Sequence, residues 1–349
     1  MAARAPPVTF VIDGPLGQRT GGYVYDRLVI DGLRARGAAV DLLHLAPGGA
    51  ARTVLENARA LALLARRRDG VTVVDELCHP RVVLASALRA PRRLVALVHH
   101  LAASERSGAR AAARLAVERV LLEAADRAVV TSATTRDVLV RAGIAPDRIR
   151  VVRPGRDRLG ERSSPPEPSP DGRVRFLFLG SLTPRKGVLE LLDAFGGVAG
   201  SATLTLAGPA DRDLGYAAAV HVAVALAGAG VRVTGALEDG ALALELARHD
   251  VLVLPSRYEG FGIAVAEALS HGLAIIASRA GALPEVVRDG AEAILVPPGD
   301  RRALMGALAL LTRDRVRLAA MQEKALVRAR ELPRWADTQE EFAAAIGVT

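Results

Sequence analysis

Cysteine, aromatic residues and lysine are all scarce in this 349-residue chain. A single cysteine, Cys78, excludes an internal disulfide framework and suits a reducing compartment. Aromatic residues make up 3% of the sequence, and they do not interleave with a basic run, as a surface that stacks nucleic-acid bases would require. Lys186 and Lys324 are the two lysines among 46 basic residues, so the net charge of +8 comes from arginines spread along the chain. We therefore predict no nucleic-acid partner.

Long apolar runs are also absent. The nearest candidate for a membrane span, residues 216–231, is too short, is mostly alanine and contains His221, so it predicts an amphipathic or buried helix. Residues 1–7 hold one arginine and no apolar stretch follows them, which argues against a signal peptide. Half of the chain is hydrophobic, and its length suits two domains. The sequence predicts a soluble, cytoplasmic protein.

Short apolar strands alternate with helices along the whole sequence, a pattern typical of parallel sheets covered on both faces. The alternation stops at 156–172, where proline, serine and charge predict an interdomain linker with no core of its own. We predict an α/β protein with two tandem Rossmann-like domains and a cleft between them. Strands are predicted at 8–13, 40–45, 71–75, 93–100, 127–132, 149–155, 174–180 and 293–298, among others. The predicted divisions are an N-terminal domain at 1–157, a linker at 158–172, a C-terminal domain at 173–333 and a helix within 334–349.

The most informative stretch is Leu254–Gly272, LPSRYEGFGIAVAEALSHG. A strand leads into the loop SRYEGFG, and an apolar helix follows that carries one charged residue, Glu267. Gly260 and Gly262 would let the backbone approach a ligand closely. Helical side chains lean toward the N-terminus of their helix, so Glu267 is expected to project toward the loop that holds Glu259.

The start of this helix also suits an anion. The free amides near Gly262, Ile263 and Ala264 favour negative charge. Carboxylates at both ends with an anion site between them match a nucleotide sugar, with the hexose hydroxyls at one glutamate and the ribose hydroxyls at the other. The alternative is that Glu259 is a solvated loop charge and that Glu267 forms a salt bridge with an arginine.

A second candidate site is the stretch LGSLTPRKG, residues 179–187, which again joins a strand to a predicted helix that begins at Lys186. Arg185 and Lys186 would place two cations at this turn, where a phosphate could bind. Lysine in an arginine-rich chain indicates a need for a compact charge. An exposed pair of residues at a helix start is the alternative.

Two N-terminal features are weaker. The stretch DGPLGQRTGGYVYD, residues 13–26, lacks the spacing G-x-G-x-x-G and the ending G-K-[ST], which argues against a dehydrogenase and an ATPase. Gly21 and Gly22 at the helix start could still offer amides to a phosphate. His99 and His100 end a strand, and because neighbouring side chains alternate, one of them is expected to face the cleft. The sequence DRD at 211–213 has the D-x-D form of metal-dependent transferases, but no further acidic or histidine cluster supports it, so we interpret it as a solvated loop.

Taken together, PSRYEGFGIAVAEALSHGLAIIAS, GSLTPRKG, TGGYVYD and VVRPGRD resemble the retaining glycosyltransferases of family 4, which have the GT-B fold. The resemblance covers nearly the whole chain. It implies transfer of a sugar from a nucleotide diphospho-sugar with retention of configuration and without a metal ion. It also implies that the final helix, including 334–346, packs back on the first domain. The acceptor is not identified.

The resemblance assigns a role to each candidate residue. Glu259 would hold the donor sugar together with His100 and the amides of Gly260, Phe261 and Gly262. Glu267 would hold the ribose. Arg185, Lys186, Gly21, Gly22 and Ile263 would hold the diphosphate, and His99 would lie near the reacting sugar. Glu259, His99 and Lys186 are the expected catalytic residues.

One position departs from the family pattern, because many members have an arginine where this chain has Ser181. Arg185 could supply that charge.

Two alternatives stay open: a GT-B nucleotide-sugar epimerase, and a non-catalytic paralogue that binds a sugar nucleotide. Weak membrane contact is open as well, because residues 104–122 place Arg106, Arg110 and Arg114 along one helical face, although a solvated face is the favoured interpretation.

Overall fold

The computed structural model describes residues 6–46, 48–66, 69–90, 92–101, 103 and 108–348. The strands in this part of the chain are β1 Val8–Asp13, β2 Val40–Leu45, β3 Val71–Asp75, β4 Leu94–Val98, β5 Arg127–Val130, β6 Ile149–Val151, β7 Val174–Leu179, β8 Ala202–Ala207, β9 Val231–Gly235, β10 Val251–Leu254, β11 Ala274–Ser278 and β12 Ala293–Val296. The helices are α1 Gly21–Ala35, α2 Ala50–Leu64, α3 Val83–Ala87, α4 Gly108–Ala124, α5 Ala133–Arg141, α6 Val188–Phe195, α7 Leu214–Ala227, α8 Asp239–Arg248, α9 Ile263–Ser270, α10 Leu283–Val286, α11 Arg301–Arg313, α12 Arg315–Arg330 and α13 Trp335–Ile346.

The chain divides into two compact units. The first takes in the described residues of 1–18, 22–154 and 336–349, and the second takes in 19–21 and 155–335. Each unit has a six-stranded sheet, in the order β2-β1-β3-β4-β5-β6 in the first and β12-β11-β10-β7-β8-β9 in the second. All the strand pairs are parallel. The predicted α/β fold with two Rossmann-like sheets is confirmed.

The core of the first unit combines apolar strands with the last helix of the chain. Phe342 on α13 is fully buried, and its ring centroid lies 6.2 Å from that of Phe10 on β1. The Gln339 side-chain amide donates a hydrogen bond to the Leu28 carbonyl at 2.9 Å. A Cβ atom on Gly32 would lie 2.5 Å from Gln339 Cγ, so α1 and α13 approach closely where glycine stands. Residues 336–348 are thus part of the first unit.

The segment between the two sheets packs on the second unit. Leu159 belongs to that unit's hydrophobic core, and the Arg162 amide donates to the Ser270 carbonyl at 2.9 Å. The Arg162 guanidinium donates to the Ala247 carbonyl at 2.9 Å. The composition of 156–172 predicts a segment that takes no part in a core. The structure differs because one leucine and a few backbone hydrogen bonds are enough to hold it.

The apolar stretch at 216–231 forms most of α7. Ala217 and Val220 are buried, but Leu214 and Leu226 are 75% and 84% exposed. The helix is therefore neither buried nor amphipathic, because apolar side chains lie on its exposed face as well. Among the described helices, none combines the length and the apolar character needed to cross a bilayer.

Candidate active site

Two loops at one edge of the second sheet bring the predicted cations and the first glutamate together. Strands β7 and β10 are direct neighbours, with Val251 opposite Phe176 and Leu252 opposite Leu177. Because parallel strands end at the same edge of their sheet, the loops that follow these two strands lie side by side. Lys186 and Glu259 therefore meet although 73 positions separate them in the sequence.

Backbone contacts hold the two loops against each other. Residues 184–186 form a 3-10 turn, and Gly187 has a left-handed φ of 70°, so α6 begins at Val188 rather than at Lys186 as predicted. A Cβ atom on Gly187 would lie 2.6 Å from the Pro255 carbonyl oxygen, a distance that no other residue type tolerates without movement. The Arg257 amide donates to the Arg185 carbonyl at 2.8 Å.

The acid and the two cations form a compact group, which we call the donor-side cluster: Arg185, Lys186 and Glu259. Lys186 Nζ donates to Glu259 Oε1 at 2.5 Å, and Arg185 Nη1 lies 3.9 Å from Glu259 Oε2. Arg185 Nη1 also donates to the Tyr258 carbonyl at 2.7 Å. The Lys186 stem runs past Gly180, where an added Cβ would be 3.4 Å from Lys186 Cε.

Glu259 is 7% exposed, so the alternative that it is a solvated loop charge is wrong. Burial raises the pKa of this carboxyl, but the charges of Lys186 and Arg185 outweigh burial and hold the pKa below its ordinary value. The cluster therefore keeps a carboxylate and two cations charged beside the start of a helix. Such a group can exchange its internal ion pair for the hydroxyls and phosphates of a ligand.

Helix α9 begins next to Glu259. Gly262 caps it with a left-handed φ of 103°, and an added Cβ there would lie 2.7 Å from the Leu283 side chain. The amides of Val265 and Ala266 make the first bonds of the helix, both to the Gly262 carbonyl. The amides before them are not needed for that ladder and remain suited to an anion.

The neighbouring predicted residues differ in what they can offer. The Phe261 side chain is 5% exposed and lies in the hydrophobic core, so its backbone is the part suited to a ligand. Gly260 and Ile263 are partly buried.

Glu267 is paired with an arginine of its own unit. Arg158 Nε donates to Glu267 Oε1 at 2.8 Å, and Arg158 Nη2 lies 2.7 Å from the same oxygen. Arg158 also forms an ion pair with Asp239. Burial raises the pKa of Glu267 despite the nearby guanidinium. The salt-bridge alternative thus describes this glutamate as it stands, and its ribose role stays a prediction.

The pairing leaves room for that role. Both contacts of Glu267 with Arg158 go to Oε1. In the described part of the chain, no residue donates a hydrogen bond to Oε2. One carboxylate oxygen can therefore accept from a hydroxyl while the other keeps its arginine.

A second group, which we call the histidine cluster, lies in the first unit and consists of Asp26, Asp75 and His99. His99 Nε2 lies 3.1 Å from Asp26 Oδ1 and 3.4 Å from Asp75 Oδ2. His100 is paired separately, because its Nδ1 lies 3.1 Å from Glu76 Oε1. Strand β4 ends at Val98, so both histidines follow the strand and the predicted alternation does not separate them.

Gly22, the second of the two predicted glycines, has a packing role in front of this cluster. A Cβ atom on Gly22 would lie 3.2 Å from His99 Cδ2, so the glycine lets α1 approach the imidazole ring. Gly21 is the first residue of α1. The sequence motifs do not point to Asp26 or Asp75. The one signal for Asp75 in the sequence is its place at the end of a predicted strand, and the pairing of β3 with β4 in the structure brings it to His99.

The histidine cluster is also where the described residues best match a metal site, since its three potential ligand atoms lie within 4.8 Å of one another. A metal there would have to displace the hydrogen bonds at His99 Nε2.

The D-x-D sequence at 211–213 has a structural role. Asp213 Oδ1 accepts a hydrogen bond from the Tyr216 amide at 2.9 Å and caps α7.

Comparison with protein families gives two adjoining matches. Residues 24–158 match the family described as "Glycosyltransferase Family 4", and residues 173–314 match "Glycosyl transferases group 1". The MMP alpha-(1->4)-mannosyltransferase of Mycolicibacterium hassiacum is 32% identical over 79% of this chain and 70% of the relative. The alpha-maltose-1-phosphate synthase of Mycolicibacterium smegmatis is 36% identical over 52% of this chain and half the length of the relative.

Solved structures share the fold at low identity. Sucrose-phosphate synthase from Thermosynechococcus elongatus superimposes with a TM-score of 0.81 at 20% identity, over 97% of each chain. HepE of Anabaena, in complex with UDP and glucose, gives a TM-score of 0.79 at 18% identity over 99% of this chain and all of that one. The family matches cover both sheets, and the mannosyltransferase is covered over more than two thirds of its length. The chain therefore belongs to glycosyltransferase family 4 and is a glycosyltransferase with the GT-B fold.

Proposed function

We propose that this glycosyltransferase moves a sugar from a nucleotide diphospho-sugar to an acceptor hydroxyl, with retention of configuration and without a metal ion. The observation that carries the proposal is the ion pair between Lys186 and the buried Glu259 beside the start of α9. It joins a cation suited to a diphosphate and a carboxylate suited to sugar hydroxyls. HepE of Anabaena is known in complex with UDP and glucose and with UDP-glucose, which supports the same class of donor here.

In this proposal the second unit binds the donor. Glu259 accepts hydrogen bonds from the sugar hydroxyls, with the backbone of Gly260, Phe261 and Gly262 around it. Arg185, Lys186 and the Ile263 amide hold the diphosphate, and Arg185 supplies the charge that Ser181 lacks. Glu267 accepts from the ribose through Oε2.

At the start of α1, Gly21 and Gly22 offer amides to the phosphate. His99 lies near the reacting sugar, and His100 helps to bind the donor sugar. These assignments come from the family resemblance.

The reaction needs no covalent intermediate with the protein. The bond between the anomeric carbon and the β-phosphate oxygen breaks, and the acceptor oxygen bonds to the same face of that carbon. The acceptor proton passes to the departing phosphate oxygen. Negative charge therefore grows on the diphosphate, where Lys186 and Arg185, once they exchange their contacts with Glu259 for the phosphates, and the amides at the start of α9 stabilise it.

The first experiment is a thermal-shift screen of UDP-, GDP-, ADP- and dTDP-sugars with EDTA present. A ligand that binds only the folded protein at 100 times its Kd stabilises it by about 2.7 kcal/mol. The best donor is then incubated with candidate acceptors, and NMR identifies the anomeric configuration of the product. We expect a retained configuration and undiminished activity in EDTA.

Other outcomes would contradict the proposal. An inverted product, or activity that EDTA abolishes, would overturn its mechanistic part. An isomerised sugar formed without acceptor would identify an epimerase, and binding without transfer or hydrolysis would indicate a non-catalytic paralogue. Calorimetry tests the ribose assignment, since Glu267→Gln should weaken binding of the nucleoside diphosphate, and unchanged affinity would refute it.

Contact with an anionic membrane rests on α4. Arg110 is exposed, whereas Arg114 is 3.4 Å from Glu118 and Arg106 lies outside the described residues. The described part of the predicted basic face therefore offers one exposed arginine and one paired arginine, which favours the solvated-face interpretation. Co-sedimentation with vesicles that contain phosphatidylserine at low salt tests it, and bound protein would revive membrane contact.

A further inference from the structure

The His99 ring is held by three elements of the first unit. Nε2 lies 3.1 Å from Asp26 Oδ1 on α1 and 3.4 Å from Asp75 Oδ2 at the end of β3. The ring packs on Gly22, and the Tyr25 ring meets it edge to face with centroids 5.3 Å apart. One ring nitrogen is therefore committed to two carboxylates.

Both carboxylates are buried, and a backbone amide fixes the orientation of Asp75. Asp26 and Asp75 are 1% and 3% exposed. The Leu77 amide donates to Asp75 Oδ1 at 2.8 Å, which orients Oδ2 toward the imidazole. Next to Asp26, the Tyr25 hydroxyl donates to the Val152 carbonyl at 3.1 Å and anchors this turn of α1. Two buried acids, one of them oriented by a backbone amide, can define the ring orientation of a histidine.

The charges favour a protonated ring. Burial lowers the pKa of His99, but Asp26, Asp75 and the nearby Glu76 raise it well above its ordinary value. Burial and the charge of Asp75 raise the pKa of Asp26 to about 7. His100 follows in the chain and is paired with Glu76. The cluster therefore retains protons at neutral pH.

We propose that Asp26 and Asp75 are positioning residues that hold His99 as an imidazolium through Nε2, so that Nδ1–H is the donor presented to the reacting sugar. The proposal rests on the proposed function for its last step. In the described part of the chain no residue is hydrogen-bonded to His99 Nδ1, and 12% of the side chain is exposed. The carboxylates thus act on the reaction only through the ring that they orient.

The first test does not depend on activity. NMR spectra of full-length protein with isotope-labelled histidine are recorded over a pH titration, and His99→Gln assigns the His99 signals. We expect His99 to remain an imidazolium at a pH where ordinary histidines are neutral. Asp26→Asn and Asp75→Asn should each lower its titration point. Titration of wild-type His99 at the ordinary value, or no effect of either variant, would overturn the proposal.

The same spectra test the competing occupant. If the three side chains instead form a metal site, adding Zn²⁺ to EDTA-treated protein should remove the imidazolium signal of His99, because the metal and the proton compete for Nε2. Unchanged signals are the expected result.

The second test separates orientation from binding. With the best donor, Asp26→Asn and Asp75→Asn should lower kcat by about tenfold or more while donor KM changes by less than about threefold. The pH at which kcat falls on the alkaline side should also move to lower pH. The control is Glu56→Gln, a buried acid of the first unit that lies 3.1 Å from both Arg52 and Arg59 and should leave kcat and the pH profile unchanged.

The NMR test and the kinetic test can each contradict the proposal independently of the other. If Asp26→Asn shifts the titration of His99 but leaves kcat and its pH profile as in wild type, the acids are structural and the proposal is wrong. If no donor supports turnover, the proposed function fails, whereas the NMR titration still decides whether the carboxylates hold the imidazolium.

Discussion

At Lys186 an ammonium group lies 2.5 Å from a buried carboxylate, in a chain whose other basic residues are nearly all arginine. Lys186→Ala removes the charge closest to the proposed diphosphate site. We expect kcat/KM to fall by about 10²–10³-fold, the usual cost of losing one preorganised donor in an active site. Steady-state kinetics with the best donor measures it.

The chain contains its own control for this change. Lys324, the second lysine, is exposed on α12. Lys324→Ala should leave kcat/KM unchanged. Equal losses in the two variants would mean that Lys186 has no special role. The Lys186 variant should also raise the pKa of Glu259, because burial is then opposed by one cation fewer.

A second prediction for a single residue concerns stability. The guanidinium of Arg158 compensates the buried charge of Glu267. Removing one partner of a buried ion pair typically costs about 3–5 kcal/mol, because the other charge stays buried without compensation. We expect Arg158→Met to lower the free energy of unfolding of the second unit by an amount of this order. Urea denaturation measures the change.

A double variant and a surface control make this test specific. Arg158→Met with Glu267→Gln should recover much of the lost stability, because no buried charge is left uncompensated and Asp239 is exposed. Arg279→Met breaks an exposed pair with Asp289 and should cost less than about 1 kcal/mol. No recovery in the double variant would show that Arg158 stabilises the unit through other contacts.

The secondary-structure elements show which features the sequence predicts and which it does not. Strands β1, β2 and β3 lie where apolar runs predict them, at Val8–Asp13, Val40–Leu45 and Val71–Asp75. Hydrophobic patterning is local, so the sequence alone reveals it. Strand order is not local, and the pairing of β7 with β10 brings Lys186 to Glu259.

The same limit explains the missed residues. Arg158 lies in a segment whose composition predicts a linker, and only the packed structure shows its contact with Glu267. Asp26 lies inside α1, and no spacing in the sequence links it to His99. Sequence motifs therefore located the loops, whereas the buried partners that set their charge required three-dimensional packing.

The histidine cluster links α1, β3 and β4, and it predicts how stability changes with pH. The folded-state pKa of Asp26 is raised to about 7 and that of His99 is raised as well, so both groups bind more protons folded than unfolded. Stability therefore falls as pH rises: for Asp26 between its ordinary value and about 7, and for His99 from its ordinary value through its raised pKa.

Asp26→Asn removes the titration of Asp26 and lowers the raised pKa of His99. We expect the free energy of unfolding of the variant to depend less steeply on pH than that of wild type. Chemical denaturation at a series of pH values provides the comparison, and the slopes matter rather than the absolute stabilities. Parallel curves for the two proteins would contradict the assigned pKa shifts.

For the whole molecule, the path of the chain matters most. The first unit is built mainly from residues before 155 together with the last helix. Along the sequence, the second unit therefore lies between the two parts of the first. Each unit has a hydrophobic core of its own, in which Phe342 lies 6.2 Å from Phe10 and Phe195 lies 6.4 Å from Phe176. Stability is therefore expected to be divided between two cores.

Two matched substitutions test this division in the full-length chain. Phe342→Ala and Phe195→Ala each empty a buried phenylalanine site, at a typical cost of about 3–5 kcal/mol. We expect Phe342→Ala to lower the hydrogen-exchange protection of β1 and leave that of β7 unchanged, and Phe195→Ala to do the reverse. If either substitution lowers protection equally in both sheets, the chain unfolds as one cooperative body, and the final helix then stabilises both sheets rather than the core that it completes.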